Sequence, residues 1–139
     1  TDYEDVGGPF FEDALRKEPD PLLDDQALFF ESDKGLVVIL GCAHAGVVNT
    51  LHYILDVTGP KRFSTVLGGM HLGSASPERI ARTLEEFRIH DVAHIGPAHC
   101  TGEKVTAQLW NAFPDRCFSC SVGTKIEFHR HHSVRIGQK

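Results

Sequence analysis

Leu36-Val37-Val38-Ile39-Leu40-Gly41-Cys42-Ala43-His44-Ala45-Gly46 joins an unbroken run of β-forming residues to a glycine-bracketed bend that carries one histidine. An apolar run without polar alternation suits a strand covered on both faces. Beyond the bend, Val47, Val48, Leu51, Ile54 and Leu55 recur at helical spacing until Gly59-Pro60 stops them. Upstream, Ala27-Leu28-Phe29-Phe30-Glu31 reads as a second strand. Ser32-Asp33-Lys34-Gly35 is the turn between them, so the two runs form a β-hairpin.

The same strand–bend–helix grammar repeats downstream. Phe63 to Leu67 is a strand halted by Gly68-Gly69. Ser76 is placed to cap a helix with Pro77 at its first position and Ile80, Leu84 and Phe87 inward. Asp91 to Ile95 is a short strand, and a helix follows from Glu103 to Phe113. Cys117 to Val122 and Lys125 to Phe128 read as two final strands. The order β-β-α-β-α-β-α-β-β argues for the α/β class, a sheet with covering helices. Residues 1–24 are a connecting segment rich in breakers, with a short helix expected from Glu12 to Lys17. Residues 25–128 form the domain, and 129–139 are a polar tail.

A chain of 139 residues supports one domain with one core. Its formal net charge is −5, so neither nucleic acid nor an anionic membrane surface is an expected partner. No apolar run approaches the roughly 20 residues of a membrane span. The amino-terminal Thr1-Asp2-Tyr3 lacks a starting Met and a signal pattern, and reads as a cut end or the start of a fragment. Four irregularly spaced cysteines favour a reducing, cytoplasmic setting over a disulfide framework. Cys117-Phe118-Ser119-Cys120 matches C-x-x-C, but on a strand residues three apart face opposite ways, so both read as structural thiols.

Histidine carries the chemistry. His44, His71 and His99 each follow a β-run and a glycine-containing bend, and each precedes a helix. In open α/β sheets such loops converge beyond the carboxyl ends of the strands, which displays the three rings at one rim. Imidazoles so placed are candidate ligands for a divalent metal, zinc first, with iron, nickel or manganese also compatible. His94 is a candidate supporting group because it is close in sequence to His99, and Cys100 adjoins it directly. His52 and His90 read as structural or solvent-facing, and His129, His131 and His132 as a tail cluster with adventitious affinity. Asp24-Asp25 reads as a solvated turn or a structural acceptor. No G-x-S-x-G and no phosphate-cradling G-x-x-x-x-G-K-[ST] occurs.

Taken in order, Asp24 to Leu28, Gly41 to Thr50, Gly68 to Leu72, Pro97 to Gly102 and Val122 to Phe128 resemble a branch of the metallo-β-lactamase superfamily. That branch holds metal-dependent hydrolases and the relatives of 7,8-dihydropterin-6-methyl-4-(β-D-ribofuranosyl)aminobenzene-5′-phosphate synthase. The resemblance implies the C-terminal half of an αββα sandwich. It implies that His44 completes a first metal site, that His99 is the last ligand of a second, and that His71 stands where many members bridge with Asp. The superfamily's H-x-H-x-D-H motif belongs to the other half and does not occur in this chain.

The resemblance implies metal-dependent hydrolysis of a small molecule, by attack of metal-activated water on a carbonyl or phosphoryl centre. It also implies incompleteness. Half a sandwich leaves one sheet face bare, and an exposed apolar face of that size drives association. The expected partner is the missing N-terminal half or a second copy of the chain. Two alternatives stand beside this reading. One is a non-catalytic dimerising module that binds metal or a pterin-like ligand. The other is a pterin-pathway synthase, for which Lys61, Arg62 and Arg79 are the available phosphate-binding cations.

Overall fold

A computed structural model describes residues 1–4 and 10–129. Strands β1 (Ala27–Ser32) and β2 (Gly35–Leu40) pair antiparallel, in the register Ala27 with Leu40 through Ser32 with Gly35. Helix α1 (Val47–Thr58) crosses to β3 (Phe63–Gly69), and α2 (Pro77–Ile89) crosses to β4 (His94–Ala98). A single 3₁₀ turn, His99–Thr101, leads into α3 (Glu103–Ala112). The sheet order is β1-β2-β3-β4, with β3 parallel to both β2 and β4. The expected α/β class follows directly from this mixed sheet and its crossover helices.

The core lies between one sheet face and the helices. Leu36 and Val38 of β2, Phe63 and Val66 of β3 and Ile95 of β4 are fully buried there. Leu51 of α1, Phe87 of α2 and Leu109 of α3 close over them from the helix side. Trp110 is on the outer side of α3 and stays 40% exposed. Ser76 caps α2 as its sequence position requires, its Oγ accepting the Arg79 N–H at 3.1 Å. Helix α1 has no capping side chain of its own. Buried Glu4 supplies one: its carboxylate accepts the Val48 N–H at 3.0 Å and the Asn49 N–H at 2.7 Å. Gly46 makes this possible, because a Cβ there would overlap the Glu4 side chain, and its φ of 100° suits glycine alone.

Three expected elements differ, and β4 runs His94–Ala98 where Asp91 to Ile95 was expected, so Gly96-Pro97 continue the strand. No helix forms from Glu12 to Lys17. The Asp13 carboxylate instead accepts the backbone N–H groups of Leu15, Lys17 and Glu18, which offers this stretch an alternative to helical hydrogen bonding. The two final strands are also absent among the described residues. Cys117 begins to pair with the free edge of β4: Ile95 donates to Arg116 O and accepts from the Phe118 N–H. The next residue of β4 facing that edge is Pro97, which has no N–H to continue the ladder.

The remaining chain runs over the second sheet face. Phe118 fills the space above Gly96, and Phe128 meets Phe30 edge to face at 5.5 Å. His129 O accepts the Asp33 N–H. Val37, which points to this face, is fully buried. The face is thus less bare than expected, although Leu28 stays 59% exposed on it. No helix of the described residues is long and apolar enough to cross a membrane. The tail's His131 and His132 and the Gly7-Gly8-Pro9 breaker lie outside the described residues.

Candidate metal centre

The carboxyl ends of β2, β3 and β4 each run into a loop bearing one of the three histidines, because all three strands point the same way. The structure sorts these rings into two adjoining groups. His44 and His71 meet edge to face, with ring centroids 4.7 Å apart. Phe10 leans on both, 5.0 Å from His44 and 6.0 Å from His71. His99 turns elsewhere: its Nδ1 lies 3.5 Å from Cys42 Sγ. Cys42, His99 and Cys100 offer three potential ligand atoms within 4.8 Å of one another.

Backbone geometry holds these side chains in place. Ala43, His71 and His99 sit at positive φ, 55°, 48° and 50°, where residues with a Cβ are uncommon and such strain gathers at functional sites. Gly69 lets the loops close on one another. A Cβ there would come within 2.5 Å of Gly41 O and 2.8 Å of Cys100 Sγ. Cys100 Sγ also lies 3.4 Å from Cys42 O, and the His71 backbone N–H points to the same sulfur. The two groups therefore share a wall built from Cys100 and the His71 backbone.

The electrostatics suit cation binding. Burial holds the His71 imidazole below its ordinary value, and the neighbouring His44 and Arg79 charges act in the same direction, against Asp25. A neutral ring has a free lone pair, and His71 Nδ1 is buried without a hydrogen-bond partner. Asp25 anchors the His44 loop, its Oδ2 accepting the Ala45 N–H at 3.0 Å while Oδ1 lies 3.9 Å from His44 Nδ1. At 3.9 Å the carboxylate acts on the His44 ring by charge, which favours a cation there, and not through a hydrogen bond. Burial pushes the Cys100 thiol up, so it is protonated at neutral pH without a cation beside it.

Two expectations about neighbours need correction. His94 does not support His99, because His94 opens β4 and His99 follows its last residue, so the strand holds them roughly 15 Å apart. Lys61 and Arg62 are also remote from the rim. They precede the amino end of β3 and pair with Glu31 and Asp91. Arg79 alone of the three cations acts on His71. Sequence spacing did not single out Cys42, and it read Asp25 only as a solvated turn or a structural acceptor, the second of which its bond to the Ala45 N–H matches. The available signal was their position, Asp25 just ahead of β1 and Cys42 two residues before His44.

A solved structure described as Tm1679, a metal-dependent hydrolase of the β-lactamase superfamily, superposes with a TM-score of 0.74 at 34% identity, over 79% of this chain and 43% of that one. Over most of its length the chain is thus similar to a metal-dependent hydrolase of the β-lactamase superfamily. Among curated proteins of Methanocaldococcus jannaschii, the chain is 30% identical over 109 residues to 7,8-dihydropterin-6-methyl-4-(beta-D-ribofuranosyl)-aminobenzene-5'-phosphate synthase. That match covers 78% of this chain and 37% of the synthase. It is 36% identical over 73 residues to the uncharacterized protein MJ0448, covering 52% of this chain and 27% of that protein. No protein-family model matches. The chain thus spans less than half the length of each of these relatives.

Proposed function

We propose that the chain is the ligand-bearing half of a metal-dependent hydrolase acting on a small molecule, completed by a partner that supplies the remaining ligands. The observation that carries this reading is the buried, unpartnered Nδ1 of His71 beside His44, in a chain 34% identical to a metal-dependent hydrolase. His44 and His71, with Asp25 behind His44, would hold one divalent ion, and His99 with Cys42 and Cys100 could hold a second. Two imidazoles favour zinc, iron, nickel or manganese, and the thiols add weight to zinc. Such an ion supplies Lewis-acid polarisation of a carbonyl or phosphoryl oxygen and an acidified water.

The chain's own residues do the rest. Asp25 fixes the His44 loop through the Ala45 N–H and adds negative charge beside the ring, and Phe10 covers both imidazoles. The partner in this proposal is a complementary half or a second copy, docked on the sheet face where Leu28 is exposed. A cytoplasmic setting belongs to the same proposal and rests on composition. The test is to combine the chain with the portion of a matched hydrolase that it does not span, and to assay phosphodiester and ester hydrolysis with added zinc, iron or manganese. Activity above either part alone supports the reading; a stable complex without activity under every metal counts against it.

The match to the pterin synthase favours a second reading, synthesis in place of hydrolysis. It differs in needing a phosphate-bearing substrate. Binding of inorganic phosphate that is lost in Arg79→Gln would favour it over ester hydrolysis.

A further inference from the structure

Beyond the rim, the helix layer carries a second group of ligand side chains. Glu86 and His90 are four residues apart at the C-terminal end of α2, and so share one helix face. His52 reaches them from the middle of α1. His52 Nε2 and His90 Nε2 both approach the same oxygen, Glu86 Oε2, at 3.1 and 3.3 Å. The two rings lie 5.6 Å apart at a steep angle, and Phe63 backs His90 at 5.7 Å.

As a hydrogen-bonding arrangement this is half satisfied: His52 Nε2 hydrogen-bonds Glu86 Oε2. His90 Nε2 is buried and makes no hydrogen bond, although the carboxylate is close by. As a ligand set it is well formed. The three potential ligand atoms lie within 4.8 Å of one another. Bonds of about 2 Å to a tetrahedral ion place ligand atoms about 3.3 Å apart, so only a small closing movement is needed. The side chains of Glu86 and His90 are about one-fifth exposed, and that of His52 is 42% exposed, which leaves an open side for a water or an incoming ligand.

The geometry points to a divalent transition-metal site formed by His52, Glu86 and His90, clasping α1 to α2 on the helix side of the sheet. Two imidazoles and one carboxylate select zinc or a neighbouring late transition ion over magnesium or calcium, which prefer all-oxygen shells. The surroundings do not oppose a cation. Arg82 is committed to Glu78 and to the Tyr3 ring, and Glu86 adds negative charge beside Tyr3. His90 caps α2, where the helix's unpaired carbonyls also favour positive charge. This site does not depend on the rim reading and stands or falls separately.

The test uses the full chain with His129, His131 and His132 changed to Gln, titrated with zinc sulfate and followed by long-range proton–nitrogen spectra of the imidazoles. His52→Gln and His90→Gln assign the two rings. The expected result is that the His52 and His90 nitrogen signals shift together. In Glu86→Gln the same shifts should require at least about tenfold more zinc. Signals that stay put at saturating zinc would overturn the site. So would a His90 shift that is unchanged in a folded His52→Gln chain, because the two rings would then bind independently. If His52→Gln does not fold, the joint or absent shift in the parent chain decides alone.

Discussion

The His44 and His71 rings meet edge to face at 4.7 Å, from loops that follow two adjacent parallel strands. The parallel register that aligns Leu40 with Gly68 brings the two loops side by side. His71 Nδ1 is left buried and unpaired in this arrangement, which is costly unless a cation takes the lone pair. His71→Ala and His44→Ala should therefore each weaken zinc binding at the rim by at least about tenfold, read by competition with a chromophoric chelator.

Asp25 acts through His44. Its Oδ1 is 3.9 Å from His44 Nδ1, and its other oxygen holds the Ala45 N–H. Asp25→Asn keeps the shape and removes the charge. Rim zinc affinity should fall by about 10- to 100-fold while the thermal midpoint of the metal-free chain moves little. An unchanged affinity would remove Asp25 from the site.

Gly69 is the point where the histidine loops close. A methyl group there would come within 2.5 Å of Gly41 O, a backbone atom, and 2.8 Å of Cys100 Sγ. Gly69→Ala should destabilise the fold by about 1–3 kcal/mol in urea titrations. For comparison, Phe87→Ala empties a fully buried ring position and should cost about 3–5 kcal/mol.

Burial pushes the Cys117 thiol up to about 11 from an ordinary value of 9.0. The folded value is raised, so the unfolded chain loses its proton first as pH rises. The thiol's contribution is fully present below pH 9 and is lost progressively between about 9 and 11, a change of the order of 2 kcal/mol. Cys117→Ala should flatten that part of the stability curve, measured by denaturant unfolding at stepped pH.

The rim was legible because its signal is local. A β-run, a glycine bend and a histidine recur at His44, His71 and His99, and parallel strands carry such bends to one edge. How the rings sort was not legible. That His99 goes to Cys42 while His71 goes to His44 depends on backbone torsions at positive φ, which side-chain pattern does not encode. The misread final strands have a different cause. Their own residues favour β structure, but pairing also needs a donor on the neighbouring strand, and Pro97 withholds it. His94 was misjudged because nearness in sequence along an extended strand is distance in space. His52 and His90 read as bland singly, since only the packing of α1 against α2 brings both to Glu86.

The most direct test of the rim as a metal centre is metal content by elemental mass spectrometry. The full chain with His129, His131 and His132 changed to Gln would be compared with the same chain carrying His44→Ala, His71→Ala and His99→Ala, after equilibration with zinc and desalting. The account predicts a loss of about one ion per chain or more in the triple variant, with the helical circular dichroism retained. Equal metal content in the two folded proteins would contradict it.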